Sequence, residues 1–253
     1  MSEENKFIRL FGNQIPILGI LPVSEDKTGE ELFAEYEQYR LSGIDGVILS
    51  PMNGDDGFHS LFAACEFFHY KKLSLPLGLK HPDKLFSYKI ATNYHLPFIL
   101  LDEAVHLKEE DAELFDHAKL RETYENLVVI AGIEQEEALE DLPALLKKGK
   151  DRADALLYLN HQEQATTESE LYDLYQRLGT YNATRTPLVT FPIPLRMQGQ
   201  LLYPNLGGII GDETFRKGNT LEGTLDQEKI DRFMERVIDY RISRHSMLEA
   251  LGK

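Results

Sequence analysis

The amino-acid sequence predicts a single-domain (β/α)8 TIM barrel covering residues 1–253. Three observations predict it. Short apolar runs of strand length alternate with stretches of helical periodicity almost throughout the chain. Eight such runs fit into 253 residues, the length one barrel needs. No low-complexity linker divides the chain, and an open Rossmann-type sheet would carry G-x-G-x-x-G after an early strand, which is missing.

The N-terminus, MSEENKFIRLFGNQIP, is charged and has no apolar signal core, so it is expected to lead directly into the first strand, Ile15 to Leu21. Thr28-x-x-Glu31 then forms a capping box, in which each side chain satisfies a free amide at a helix start. Leu32, Phe33, Tyr36 and Tyr39 follow at helical spacing, and Gly43 is the expected stop. The second strand, Gly46 to Ser50, precedes a helix with Phe58, Leu61, Phe62, Cys65 and Phe68 on one side. The aromatic stripe Phe58, Phe62, Phe67 and Phe68 is expected to pack that helix on the barrel.

The third strand is Leu75 to Lys80 and the fourth Pro97 to Leu101, separated by a helix near Leu85 to Tyr94. An acidic helix near Lys108 to Leu120 leads to the fifth strand, Leu127 to Ala131. Another helix, Ala138 to Lys148, precedes the sixth strand, Ala155 to Leu159. Thr167-x-x-Glu170 caps a helix bearing Leu171, Leu174 and Leu178. The seventh strand is Leu188 to Phe191, the eighth Gly207 to Ile210, and the closing helix carries Ile230, Phe233, Met234, Val237 and Arg241. That helix keeps apolar residues through Tyr240, Ile242, Met247 and Leu248, more than closing a barrel requires, which predicts a homodimer or larger assembly.

Composition narrows the function. The net charge of −15 repels phosphate backbones and anionic lipid, so nucleic acid and membrane are poor partners. The one dense basic cluster, Lys147, Lys148, Lys150 and Arg152, reads as a helix-end cap. A lone cysteine, Cys65, excludes an internal disulfide framework and suits a reducing compartment, so the cytoplasm is the expected location. Its place on an apolar helix face points to core packing.

Chemistry in such a barrel sits on the loops after the strands, where side chains from several strand ends converge. The second strand leads to Ser50 and Asn53, the third ends in Lys80-His81, and the fourth in Asp102-Glu103. The sixth gives Asn160-His161, the seventh leads to Arg196, and the eighth gives Asp212-Glu213. Lys80 with Asp102 is the sharpest pair: lysine as Schiff-base nucleophile or electrostatic clamp, the carboxylate one strand over as acid or base. The same pair also fits a polar layer that only neutralises charge. Asp102, Glu103 and Asp212 offer oxygen ligands for a divalent ion, but acids are abundant throughout the chain. HExxH, zinc-spaced Cys/His, G-x-S-x-G and Walker motifs are all missing, so no metal site is predicted and no cofactor is identified. His81, before Pro82, reads as a loop or cap residue, and His161 as either an acid/base group or a solvent histidine.

The segment LGGIIGDETFRKGNTLEGTLDQEKIDRFMERV, Leu206 to Val237, resembles the end of the BtpA family, whose members finish with ADGxIVGTxxKxxG and then N-x-VD-x-x-RV-x-x-FM. GIDGVILSPMNGDDGF, Gly43 to Phe58, is similar to that family's second-strand segment G-x-DG-x-x-x-EN-x-x-D-x-PF. The resemblance implies a barrel related to those that bind ribulose phosphates, and implies a fold better than an activity; one member of the family is linked to photosystem I stability. Two departures matter. GILPVSED stands where the family has an early histidine motif, and FPIP, Phe191 to Pro194, where it has GSG after the seventh strand. A glycine loop there would cradle phosphate with its amides, and Pro192 and Pro194 each remove a donor. Arg196 offers a guanidinium fork instead.

Two functions follow as expectations. The first is a lyase or isomerase acting on a small polar metabolite, phosphorylated or plain. In it Lys80 is nucleophile or clamp, Asp102 or Asp212 the acid/base group, Asn53 an orienting group and Arg196 an anion anchor, with Asn160 also binding substrate. The second is a non-catalytic barrel that binds a metabolite or a protein, with a degenerate phosphate loop.

Overall fold

The computed structural model describes residues 5–12, 15–52, 58–105, 120, 122–133, 144, 153–158, 187–190 and 207–250. Its strands are β1 (Ile17–Val23), β2 (Gly46–Pro51), β3 (Leu77–Lys80), β4 (Phe98–Val105), β5 (Val128–Ile133), β6 (Ala155–Tyr158), β7 (Leu188–Thr190) and β8 (Gly208–Gly211). Each is parallel to its neighbours, and the pairing runs from β1 to β8 and returns from β8 to β1. The described helices are α1 (Lys6–Phe11), α2 (Gly29–Leu41), α3 (Phe58–His69), α4 (Lys84–Asn93) and α5 (Gln227–Ala250). Among the described residues, no helix is long and apolar enough to cross a membrane. Of the sequence-predicted helices near 108–120 and 138–148 only Leu120 and Ala144 are described, both helical; the helix after Thr167, the 147–152 basic cluster and His161 fall outside the described residues.

Side chains alternate along each strand, and the buried residues divide accordingly. Leu18, Ile20, Ile48, Phe98, Leu100, Val128, Ile130, Ala155, Leu157, Val189 and Ile210 fill the barrel interior. Their neighbours in sequence, such as Ile17, Val47, Leu79, Ile99, Val129 and Ile209, face the helices and pack with Tyr36, Tyr39, Phe68, Phe233 and Val237. A strand buried on both faces reads as a continuous apolar run, which is why these strands were visible in the sequence.

The capping box at α2 forms as expected: Glu31 N–H donates to Thr28 Oγ1 at 3.3 Å, and Thr28 N–H donates to Glu31 Oε2 at 2.8 Å. The Thr28 amide, and the Thr28 hydroxyl donating to the same Oε2 at 2.8 Å, hold the Glu31 carboxyl below its usual range. Gly43, at φ +80°, ends the turn that follows the helix. From α2, the Tyr36 hydroxyl accepts the amides of Ser74 and Leu75 at 3.0 and 2.7 Å, which fixes the entrance to β3.

Two expectations are corrected. The chain does not pass directly into β1. Residues 6–11 form α1, capped by Asn5, whose Oδ1 accepts the Phe7 amide at 2.8 Å. Phe7 joins the interior cluster, and Phe11 meets Phe98 edge-on at 5.4 Å, so α1 plugs the end of the barrel where the strands begin. Its length of six residues carries too little periodicity to be read from sequence. The second correction concerns the aromatic stripe on α3. Leu61, Ala64, Cys65 and Phe68 form the buried face, while Phe58 and Phe62 are 39% and 40% exposed. Phe67 packs partly over Gly29, where a Cβ would lie 2.5 Å from its ring. Neighbouring aromatic positions at this spacing wrap beyond the face one barrel contact can cover.

Two aspartates tie strand starts together in the same way. Asp45, just before β2, donates its N–H to Ile17 O at 2.8 Å and accepts the Ile17 amide on Oδ2 at 2.7 Å. Asp154, just before β6, donates to Val129 O at 2.8 Å and accepts the Val129 amide on Oδ2 at 2.9 Å. Each clasp gains a cation from a distant helix. Arg241 of α5 reaches Asp45 at 2.6 Å, and Lys6 of α1 reaches Asp154 at 3.5 Å.

Candidate functional site

In a parallel barrel the C-terminal strand ends share one rim. Lys80 is the last residue of β3 and lies opposite Leu100 of β4. Its direction follows from the residue two before it. A Cβ on Gly78 would strike the interior ring of Phe98 at 2.3 Å, so Gly78 faces the barrel axis. Leu77 and Leu79 face the helices. Alternation therefore puts Lys80 on the inner face, half-buried at the rim. Ser50, two residues beyond the interior Ile48 on β2, is the buried polar group at the same level.

The sequence ended the fourth strand at Leu101; the structure extends β4 to Val105, so Asp102 and Glu103 lie within it. The ladder with β5 pairs Leu101 with Ala131 and next pairs Val105 with Ile133. β4 thus advances four residues (105 − 101) while β5 advances two (133 − 131). Such an irregularity interrupts pairing and bends the strand. Lys80 and Asp102 accordingly sit on adjacent paired strands, at neighbouring heights. β5 likewise runs two residues further than predicted, taking in Gly132, and β8 ends at Gly211.

Asp212 follows β8 and caps a 3-10 turn, Glu213–Phe215, accepting the Thr214 amide on Oδ1 at 3.1 Å. Burial raises its carboxyl above the ordinary value and the neighbouring Glu213 charge adds to this, while the Thr214 hydrogen bond opposes it. In the ring, β8 is separated from β3 by β1 and β2. Asp212 therefore stands across part of the rim from Lys80, not beside it. Asn53, Asn160 and Arg196 lie outside the described residues. His81 behaves as a loop residue: it is buried, and its Nδ1 accepts the Asp83 amide at 3.0 Å while Asp83 caps α4. Burial pushes the Cys65 thiol up to about 12, which leaves it a packed core group. Among the described residues, no group of three His, Cys, Asp or Glu is arranged to hold a metal ion.

Sequence reasoning missed the most buried charge near this rim. Arg216, 0% exposed, donates to Gly223 O at 2.7 Å, to Ile20 O at 3.2 Å and to Glu35 Oε2 at 2.7 Å. Glu35 also pairs with Lys27 at 2.6 Å. Tyr39 donates to the same Ile20 carbonyl at 2.9 Å. Its hydroxyl is pushed well up by burial, with Arg216 opposing. Nothing local distinguishes Arg216 from the solvated Lys217 beside it, so only a pairing between β1 and β8 reveals it.

No protein-family model matches the chain, and no curated protein matches its sequence. Solved structures do. Dihydropteroate synthase from Vibrio fischeri ES114 superposes with a TM-score of 0.61 at 11% identity, covering 92% of this chain and 94% of that one. The Coxiella burnetii dihydropteroate synthase in complex with pteroic acid gives 0.62 at 12% identity, over 91% and 93%. The native KDPGal structure gives 0.60 at 15%, over 89% and 96%. At these identities the likeness is one of fold: a parallel α/β barrel of the kind used by TIM-barrel enzymes.

Proposed function

We propose that the whole chain is one (β/α)8 barrel, similar to the BtpA family, and acts as a lyase or isomerase on a small polar metabolite, phosphorylated or plain. The observation that carries this reading is Lys80 on the inner face at the end of β3, one strand from the interrupted, acidic end of β4. In the proposed chemistry the Lys80 amine attacks a substrate carbonyl, and water leaves as the imine forms. Asp102 takes and returns the proton. Asp212, whose carboxyl keeps its proton to higher pH than usual, serves as the acid from its place across part of the rim. Asn53, Asn160 and Arg196 bind the substrate's polar groups. A homo-oligomer is part of the same proposal.

The test is reductive trapping. The protein is incubated with cyanoborohydride and a panel of small 2-oxo acids and phosphorylated aldehydes and ketones, and peptides are mapped by mass spectrometry. A secondary-amine adduct on Lys80 that vanishes in Lys80→Arg is the expected result. The second reading, a non-catalytic binding barrel, is favoured by Pro192 and Pro194 where a phosphate loop would need amides. It expects metabolites to raise the melting temperature with no adduct and no turnover. If no compound binds, and Lys80→Ala only lowers the melting temperature, the polar layer is structural, the enzyme reading fails, and of the second reading only a protein-binding barrel is left.

A further inference from the structure

The ladder joining β8 to β1 is short. It pairs Ile17 with Ile209, Leu18 with Ile210 and Gly19 with Gly211, and there β8 ends. Ile209 donates its amide to Pro16 O at 2.9 Å. In a parallel ladder the acceptors recur at every second residue, so the carbonyls of Leu18 and then Ile20 continue the series. Ile20 O is thus the next acceptor β8 would have used, but the chain has by then left the sheet into the turn that Asp212 caps. Arg216, at the end of that turn, sends its guanidinium back to fill the vacated position, at 3.2 Å.

The turn has little room to rearrange. Phe215 lies against Gly211, where a Cβ would come within 1.8 Å of its ring, and stacks edge-on with Phe233 at 5.1 Å. Phe215 N–H donates to Asp212 O at 3.1 Å and Arg216 N–H to Glu213 O at 3.0 Å. The Arg216 side chain then joins this turn to β1 through Ile20, to α2 through Glu35, and to its own following loop through Gly223. Glu35 passes the connection to Lys27, in the segment that leaves β1 at the rim.

We propose that Arg216 is a positioning residue: its guanidinium takes the place of the missing β8 backbone at the β1–β8 seam and so holds Asp212 in place at the rim. This rests on Asp212 being part of the site. A buried guanidinium that served only to fill the core would stabilise the whole fold evenly. A seam clasp instead controls one turn.

The experiment uses the full chain and three variants: Arg216→Lys, Glu35→Gln and Tyr39→Phe. Amide exchange is read at Thr214, whose N–H is bonded to Asp212, and at Leu79 on β3 as a distant reference. The carboxyl 13C resonance of Asp212 is titrated in parallel. The groups facing that carboxyl are Glu213 in its own turn and Tyr39 across the seam, with Arg216 and Glu35 beside Tyr39. Arg216→Lys is expected to speed Thr214 exchange at least tenfold with Leu79 within twofold, and to bring the Asp212 midpoint down as the turn opens to water. Glu35→Gln, which leaves an oxygen acceptor in place, gives the same pattern more weakly. Tyr39→Phe removes the other donor to Ile20 O and leaves Thr214 within twofold. Equal acceleration at Thr214 and Leu79 in both Arg216→Lys and Glu35→Gln overturns the proposal, and so does the same Thr214 response in Tyr39→Phe. These readouts need no substrate, so a failure to trap any adduct on Lys80 counts against the proposed activity and leaves the Arg216 result standing by itself.

Discussion

At the scale of single residues, Asp212 allows the most direct prediction. Its folded pKa is raised, chiefly by burial, so its contribution favours the folded state while the group is protonated and is lost as pH rises through the folded value. At neutral pH the ionised carboxylate therefore costs stability. Asn caps helix starts as well as Asp, so Asp212→Asn is expected to keep the turn, raise the melting temperature at pH 7, and flatten the rise in stability seen in the parent below that folded pKa. Each ~1 kcal/mol regained raises the midpoint by roughly 2–4 °C in a chain of this size. Calorimetry from pH 4 to 8 measures it, and an unchanged profile removes Asp212 as the source. Under the proposed activity the same substitution is expected to abolish turnover, the usual trade between function and stability. Gly211 gives the opposite case. The 1.8 Å approach of a Cβ to the Phe215 ring means Gly211→Ala must displace that ring, costing about 1–3 kcal/mol by overpacking, which urea denaturation reads.

At the scale of elements, the two aspartate clasps and the α1 plug carry the predictions. Asp45 and Asp154 make the same pair of backbone bonds four strands apart in the ring, but their cations differ. Arg241 bonds Asp45 directly and also donates to Ile15 O at 2.6 Å, while Lys6 stands 3.5 Å from Asp154 and donates instead to Glu125 O and Leu127 O, both at 3.0 Å. A hydrogen bond with both partners charged is stronger than one to a neutral carbonyl, and of the two cations Arg241 directs one at its aspartate. Arg241→Met is therefore expected to cost more than Lys6→Met, and a denaturant series comparing them decides it. Phe7→Ala should cost about 3–5 kcal/mol, since the ring is buried in the barrel interior. The clasps were hidden in the sequence as two ordinary aspartates before strands. The capping box at Thr28 was legible because its partners are three residues apart, within reach of local pattern.

At the scale of the whole molecule, the question is what covers the outer face of α5. Ile230, Phe233, Met234 and Val237 are spent on the barrel, while Ile238 and Ile242 are 48% and 60% exposed. The expected homo-oligomer places a second copy over them. Light scattering across micromolar concentrations should give a mass above the 29.0 kDa of one chain, and Ile242→Glu should reduce it to that value. A mass of one chain in the parent at every concentration rejects the assembly. A single barrel also predicts one cooperative unfolding transition, coincident by circular dichroism and tyrosine fluorescence.

By itself the sequence determined the strand segments, the helix around the capping box, and the buried face of α5. Each rests on spacing within a dozen residues, where periodicity and caps act directly on the backbone. It also placed Lys80 at a strand end and the acids of Asp102-Glu103 close to one. Only the tertiary structure decided which way Lys80 faces, that β4 runs on through an irregular register, and that α1 closes the lower end. It alone also separated the exposed Phe58 and Phe62 from the buried Phe68. Arg216 shows why. Its partner Ile20 is 196 positions away, and the two meet only because the last strand closes on the first. Closure converts an unremarkable surface-type residue into a buried one, and no local pattern in the chain encodes that contact.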